Sequence, residues 1–212
     1  TETEGKGFCA MPAGLRVARA ALHMWEEPPI SGTRGSGTVF FSGCTLRCCY
    51  CQNRDISAGG FGRHITTARL REIFEELIAQ GAHNINLVTP THFLPWILPA
   101  LEPKLRVPVV YNCGGYESVE TLRLLEGKTD IWLPDLKYAD GALAAELSAA
   151  PDYFPVAAAA IREMFRQAGP YVMEDGLLKR GVVTRHRVLP GQLITTRRCI
   201  DWLAENFRRG EV

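Results

Sequence analysis

Short apolar runs recur along the chain, separated by segments of mixed polarity. Five runs rich in Val, Ile, Leu, Phe and Tyr are predicted to form strands, at residues 38–41, 84–88, 107–111, 130–133 and 182–189. Runs of this length, bounded by polar or glycine-containing segments, are typical of strands that a sheet buries on both faces. The pattern therefore predicts a sheet whose strands lie far apart in sequence.

The segments between these runs carry the three-to-four-residue apolar repeat of helices. In TARLREIFEELIAQG, Leu70, Phe74 and Ile78 recur at four-residue spacing, and Gly81 fits a C-terminal cap. Further helices are predicted at residues 118–126, 155–168 and 193–210. Pro95 and Pro99 interrupt the apolar segment 92–102, which predicts a broken helix there.

Alternating strands and helices predict an α/β fold with a parallel sheet, either open or part of a (β/α) barrel, and helices outside it. Residues 37–212 are predicted to form this single domain, and residues 1–36, rich in Gly and Pro, an irregular N-terminal segment. In such folds, functional residues gather at the C-terminal ends of the strands. Residues of unusual chemistry follow those ends: Cys44, Thr89 to His92, Asn112, Asp135 and Lys137.

Composition and charge narrow the possible partners. The 212 residues have a formal net charge of +1, which gives no electrostatic footprint for nucleic acid or a membrane surface. No apolar run approaches the ~20 residues of a membrane span, and TETEGKGFCAMPAG lacks the apolar stretch of a signal peptide. We therefore predict a cytoplasmic protein that binds neither nucleic acid nor membrane.

Seven cysteines suggest metal or redox chemistry, because four of them fall in the stretch CTLRCCYC. Cys44, Cys48 and Cys51 have the spacing C-x3-C-x2-C, and thiolates favour zinc or iron–sulfur clusters. A structural zinc site requires four closed ligands, whereas Cys49 directly follows Cys48 and is poorly placed to share one ion with it. Three thiolates on a [4Fe–4S] cluster would leave one iron open. The alternative is that reduced cysteines pack as small apolar residues.

The C-x3-C-x2-C spacing resembles the signature of the radical S-adenosylmethionine (radical SAM) superfamily. FSGCTLRCCYCQN is similar to the cysteine loop of pyruvate formate-lyase activating enzymes, with Tyr50 before the third cysteine. The phrases WEEPPISG, NLVTPTH, DIWLPDLKY and RHRVLPG resemble a branch related to those enzymes. The resemblance implies a [4Fe–4S] cluster that reductively cleaves S-adenosylmethionine. The resulting 5′-deoxyadenosyl radical would abstract a hydrogen atom.

The resemblance also implies roles for residues outside the cysteine loop. Asp135 and Lys137 match an Asp-Leu-Lys motif whose Asp helps to bind a monovalent cation and whose Lys lies near the cofactor. Arg185 and His186 are adjacent on a strand, so only one can face inward, and Arg185 is favoured. The cofactor-binding residues implied are Tyr50, Thr89, Thr91, Asn112, Asp135, Lys137 and Arg185.

One position departs from the family pattern. The activating enzymes carry Gly-Gly-Glu after the second strand, where it binds the amino group of S-adenosylmethionine, and this chain has Thr89-Pro90-Thr91-His92. Threonine hydroxyls and backbone carbonyls can accept hydrogen bonds from an ammonium group, but they carry no charge. The competing interpretation is a turn that ends the strand and is shaped by Pro90.

Three functions remain open at this stage. The first is an activase that abstracts hydrogen from a glycyl radical enzyme, with flavodoxin or ferredoxin as electron donor. The second is the same radical chemistry on a small molecule or a peptide. The third is a non-catalytic iron–sulfur or zinc protein.

The number of strands suggests a shortened domain. Five strand–helix units are predicted, where the superfamily implies six, and Cys9 resembles the last member of a cysteine group found upstream in longer relatives. Val182 to Leu189 would then form an edge strand with unpaired backbone groups. An interior position for this strand, between strands of its own chain, would contradict the prediction.

Overall fold

The computed structural model describes residues 7–212. These residues form one eight-stranded mixed sheet with helices packed on it. The strands are β1 (Arg16–His23), β2 (Ser36–Phe41), β3 (Arg63–His64), β4 (Ile85–Val88), β5 (Val109–Cys113), β6 (Ile131–Pro134), β7 (Val172–Glu174) and β8 (Leu177–Val182). The helices are α1 (Pro28–Ser31), α2 (Arg54–Ser57), α3 (Thr67–Ala79), α4 (Leu94–Ala100), α5 (Val119–Arg123), α6 (Gly141–Ser148), α7 (Tyr153–Ala168) and α8 (Leu193–Asn206).

Five parallel strands, in the order β2-β4-β5-β6-β8, form the centre of the sheet. The full order is β3-β1-β2-β4-β5-β6-β8-β7, so the sheet stays open and forms only part of a barrel. The predicted α/β fold with a partial (β/α) barrel is therefore confirmed. Four predicted strands coincide with β2, β4, β5 and β6 to within two residues at either end.

Successive strand residues pack on opposite faces of the sheet. Val109 joins the outer cluster, in which Leu70 and Phe74 of α3 cover the strands. Val110 joins the inner cluster with Ile30 of α1. Ile30 is fully buried, which contributes roughly 1.5–3 kcal/mol, and it closes the inner face near the strand N-termini.

The prediction that residues 1–36 are irregular is wrong for much of the described part. β1 lies antiparallel to β2, with Ala20 opposite Val39, and β3 pairs on its other side. The pattern was weak because β1 is mostly half-exposed: of its eight residues only Val17 is buried. Residues 1–6 lie outside the described part of the chain.

The fifth predicted strand is displaced, and the predicted edge does not exist. The strand is β8, which pairs with β6 on one side and with β7 on the other. The β7–β8 turn uses Asp175 and Gly176, both at positive φ, which is the geometry of a tight Asp-Gly hairpin. β8 is thus an interior strand. Residues 183–189 follow it, and Arg185 bridges to Asp135.

The predicted helices agree with the structure more closely than the fifth predicted strand does. The predicted helices at 118–126, 155–168 and 193–210 correspond to α5, α7 and α8 with shifted ends. The broken segment is a 3-10 turn, Thr91–Phe93, followed directly by α4. α4 accommodates Pro95 in its first turn and Pro99 near its end. Within residues 7–212, no helix combines the length and the hydrophobicity that a bilayer span requires.

Candidate functional site

One cavity of about 730 Å³ lies at the C-terminal ends of the parallel strands. A volume of this size is within the range that binds cofactors and small substrates. Nine of the ten residues predicted for the site line it: Cys44, Cys48, Tyr50, Cys51, Thr89, Asn112, Asp135, Lys137 and Arg185. The tenth, Thr91, lies elsewhere.

The cysteine loop begins where β2 ends. Gly43 has φ of +83°, and a Cβ there would lie 2.4 Å from Cγ of Met11, so the turn into the loop requires glycine. The Arg47 guanidinium donates to the backbone oxygen atoms of Cys44 and Phe8. Residues of the N-terminal segment therefore hold this loop against the end of the sheet.

Each of the three cysteine sulfurs has one hydrogen-bond partner. The backbone N–H of Leu46 lies 3.4 Å from Sγ of Cys44, and the Ser57 hydroxyl lies 3.3 Å from Sγ of Cys51. The Ser148 hydroxyl donates to Sγ of Cys48 at 2.9 Å. All three thiols are free of disulfides. Hydrogen bonds to sulfur are among the features by which proteins tune iron–sulfur clusters.

Three free thiols on one loop line the cavity, and thiolates are the soft donors that an iron–sulfur cluster takes. Within residues 7–212, no three His, Cys, Asp or Glu side chains converge closely enough to hold one ion. A zinc site requires ligands about 2.3 Å from the same atom. A cluster binds each thiolate through a different iron, so its ligands can be further apart. Burial raises the pKa of Cys44 to about 11, with Cys48 and Cys51 adding to the rise. The Lys137 charge opposes this rise, and a bound metal would favour the Cys44 thiolate further.

Three charged side chains in the same cavity form a network near the cysteines. Lys137 and Asp135 are in direct contact, and Nε of Arg185 lies 3.0 Å from Oδ1 of Asp135. Burial opposes ionisation of Asp135, but the charges of Lys137 and Arg185 outweigh it and lower the pKa of the carboxyl. Asp135 therefore stays ionised between two cations. Asp135 and Lys137 both line the cavity, as expected. The prediction that only one of Arg185 and His186 faces inward is wrong, because both line the cavity: they follow the end of β8, where strand alternation no longer applies. The His186 ring also contacts the backbone oxygen of Leu136 and the hydroxyl of Thr196 in α8.

Glu26 lines the cavity, although no sequence pattern indicates a role for it. Its Oε2 accepts hydrogen bonds from Asn86 at 2.8 Å and Asn112 at 3.0 Å. Its Oε1 lies 3.3 Å from Arg185. Burial and a hydrogen bond with Glu27 together raise the pKa of Glu26 to about 7, although the charge of Arg185 opposes the rise. The cavity therefore holds a carboxyl group that changes its charge near neutral pH.

The two threonines of the Thr-Pro-Thr-His turn differ in position. Thr89 lines the cavity and has φ of +57°, a strained conformation for a β-branched residue. Thr91 points away, and its hydroxyl lies 2.8 Å from that of Tyr111. The predicted contact between Thr91 and the cofactor is therefore not supported by its position, because the 3-10 turn after Pro90 rotates this side chain under the sheet end.

Asn112 and Tyr50 lie on the cavity wall. Oδ1 of Asn112 accepts from Arg185 at 2.7 Å, which fixes the amide orientation. A Cβ at Gly115 would lie 2.0 Å from the backbone oxygen of Asp135, so the close approach of these two backbone segments requires glycine. The Tyr50 hydroxyl contacts that of Tyr138.

The remaining cysteines are dispersed. Cys49 is exposed, and Cys9, Cys113 and Cys199 are buried. Cys113 contributes to the cavity wall. The separation of Cys49 from the cavity agrees with the expectation that it does not act with Cys48 as a ligand pair.

Comparison with known proteins finds a similarity to one superfamily over part of this fold. Residues 38–139 match the model of the Radical SAM superfamily. Uncharacterized protein MJ0674 of Methanocaldococcus jannaschii is 30% identical over 218 residues, covering 97% of this chain and 59% of that protein. SuiB of Streptococcus suis superposes with a TM-score of 0.55 at 14% identity, covering 81% of this chain and 36% of SuiB. The chain thus spans about three fifths of the length of the curated relative.

The matched span contains the three cysteines, Asp135 and Lys137. Glu26, Ser148 and Arg185 lie outside it. The likeness to SuiB bears on the fold and agrees with a partial barrel.

Proposed function

We propose that this chain, which carries a radical SAM superfamily domain, binds a [4Fe–4S] cluster through Cys44, Cys48 and Cys51 and S-adenosylmethionine in the adjoining cavity. When bound, the cluster would supply an electron for reductive cleavage of S-adenosylmethionine to a 5′-deoxyadenosyl radical. The observation that carries the proposal is that three free thiols and a paired charged network face the same cavity.

The charges in the cavity suit a ligand that has both a carboxylate and cationic groups. Lys137 and Arg185 can donate to a carboxylate, and Arg185 can do so through two parallel N–H groups. Asp135 and Glu26 can interact with an ammonium or a sulfonium group. Because these four side chains already pair with one another, the ligand enters a site whose charges are held in place before binding.

The cavity contains carboxylates although the Gly-Gly-Glu motif is absent. Thr89 retains the position after β4, and its strained backbone is held by an N–H bond to the backbone oxygen of Asn112 at 2.9 Å. Glu26 reaches the same cavity from the segment before α1. We infer that polar groups at Thr89 bind the amino group and that Glu26 adds negative charge nearby.

The proposed target is a glycyl radical enzyme, with flavodoxin or ferredoxin as electron donor. The resemblance of the cysteine loop and of the Asp-Leu-Lys segment to activating enzymes supports this target. The open sheet and the 88% exposed Trp25 at the cavity rim would suit a macromolecular substrate. A small molecule or peptide is the second candidate, favoured by the polar side chains of Glu26 and Asn112 in the cavity wall.

The first test is anaerobic reconstitution with iron and sulfide, followed by reduction in the presence of S-adenosylmethionine. We expect wild-type protein to release 5′-deoxyadenosine, and Cys44→Ala, Cys48→Ala and Cys51→Ala each to abolish release. Cys199→Ala is the matched control, because Cys199 is a buried thiol of α8 that does not line the cavity. Full turnover by any of the three loop variants would exclude the cluster assignment.

A second experiment separates the substrates. The reduced protein is mixed with a glycyl radical enzyme, and electron paramagnetic resonance is used to detect a glycyl radical. Appearance of that radical supports the activase. Release of 5′-deoxyadenosine without it favours the small-molecule or peptide substrate. Absence of both, with a complete cluster, favours the non-catalytic protein.

A further inference from the structure

We propose that a directional chain of hydroxyl groups, Tyr50 to Tyr138 to Ser148, donates to the thiolate of Cys48 and raises the reduction potential of the cluster. This inference rests on the proposed function, since it assigns the residues that tune the cluster proposed above. It concerns Ser148 and Tyr138, which are not ligands.

The C-terminal end of α6 holds the cysteine loop around Cys48. The N–H of Arg47 donates to the backbone oxygen of Ser148 at 3.0 Å, and the N–H of Cys49 donates to that of Leu147 at 2.9 Å. These carbonyls are among those that a helix end leaves without intrahelical partners. The Ser148 hydroxyl returns a bond to Sγ of Cys48 at 2.9 Å. The two residues flanking Cys48 are thus fixed by the same helix turn that supplies the sulfur contact.

Each hydroxyl has one proton to donate, and this fixes the direction of the hydrogen bonds along the hydroxyl chain. A thiolate only accepts, so Ser148 must give its single proton to Cys48. Ser148 then accepts from Tyr138, whose hydroxyl lies 2.7 Å away. Tyr138 in turn can only accept from the hydroxyl of Tyr50. All three O–H dipoles therefore point toward the sulfur, and hydrogen bonds aligned in this way strengthen one another.

Burial of the hydroxyl chain strengthens its effect on the reduction potential of the cluster. Ser148 is 1% exposed and Tyr138 is fully buried, so water does not screen the donors. The contact to Cys48 is also shorter than those to Cys44, at 3.4 Å, and Cys51, at 3.3 Å. Donors to cluster sulfurs stabilise the reduced form, which carries more negative charge. The chain should therefore make the cluster easier to reduce.

Ser148 lies outside the matched superfamily span, which ends at residue 139. The sulfur contact therefore depends on α6, an element that the matched residues do not include. Tyr138 is at the end of that span, directly after Lys137. The hydroxyl chain joins the matched domain to this following helix.

The test is the midpoint potential of the reconstituted wild-type chain and its variants, measured by anaerobic redox titration with electron paramagnetic resonance of the reduced cluster. We expect Ser148→Ala to lower the reduced-to-oxidised ratio at fixed potential about tenfold, which is about 59 mV for a one-electron couple. Tyr138→Phe should shift the midpoint in the same direction by less, and Tyr50→Phe by least. Ser148→Thr keeps the hydroxyl and should retain the wild-type midpoint.

Tyr116→Phe is the matched control, because the Tyr116 hydroxyl bonds Asp152 at 2.6 Å rather than the chain. Its midpoint should equal that of wild type. Equal midpoints for Ser148→Ala, Tyr138→Phe and wild type, at equal iron and sulfide content, would overturn the inference. If Ser148→Ala does not hold a cluster, Tyr138→Phe decides the matter, since it leaves the Ser148 contact in place. Failure of the wild-type chain to assemble a cluster would instead contradict the proposed function.

Discussion

Glu117 is a carboxyl group that folding removes from water without placing a cation beside it. It follows β5, is 4% exposed, and lies 3.5 Å from the hydroxyl of Tyr111. Burial raises the pKa of Glu117 to about 7, and hydrogen bonds from Thr91, Tyr111 and Cys113 offset only part of that rise. Because Cys113 lines the cavity, this buried acid lies directly behind the proposed cofactor site.

The raised pKa makes stability depend on pH in a defined direction. Below pH 4.5, the ordinary value for this group, folded and unfolded chains are both protonated, and the stabilisation is fully present. Between that value and about pH 7, the unfolded chain loses its proton while the native state keeps it, so stability falls as pH rises. At 1.36 kcal/mol per pKa unit, the loss amounts to about 3 kcal/mol above pH 7.

Glu117→Gln removes the titration and keeps the side-chain size. Any change in its hydrogen bonds is the same at every pH, so the pH profile isolates the charge. We expect urea unfolding to show that the variant gains about 2.5 kcal/mol relative to wild type between about pH 5 and pH 8, because part of the loss is complete by pH 5. Glu76→Gln, on the exposed face of α3, should leave the wild-type profile in place. Parallel profiles for wild type and Glu117→Gln would refute the reasoning.

The parallel strands could be predicted because side chains of other elements bury both faces of the sheet. A strand buried on both sides must be apolar throughout, as in residues 131–133, and such runs are visible in any sequence. β1 could not be found in this way, because it lies next to the edge and is mostly half-exposed. α6 was missed because its turns are rich in alanine, which marks no clear apolar face.

The candidate site was predictable where its residues are close together in sequence. Cys44, Cys48 and Cys51 share one loop, so their spacing alone indicates a cluster. Ser148 is 100 residues from Cys48, and Glu26 is 159 residues from Arg185. Such contacts depend on how α6 and the segment before α1 pack against the sheet. Local sequence patterns do not predict this packing. The chemistry of the ligands is therefore readable from the sequence, whereas the groups that adjust their charge and potential require the fold.

Two further predictions concern the cavity. Asp135→Asn and Lys137→Ala should each weaken S-adenosylmethionine binding about tenfold without reducing iron content, because each leaves a buried charge without its partner. Thr91→Ala should leave that affinity unchanged, since its hydroxyl faces away from the cavity. Calorimetry on reconstituted protein measures the affinity of all three variants. Unchanged affinity in both Asp135→Asn and Lys137→Ala would contradict the cofactor-binding roles of these two residues. Glu26 ionises with a pKa of about 7, so wild-type affinity for this net-cationic ligand should rise from about pH 6 to pH 8 by about 1 kcal/mol. Glu26→Gln cannot ionise and should abolish that rise, and a rise that persists in the variant would place the titrating group elsewhere.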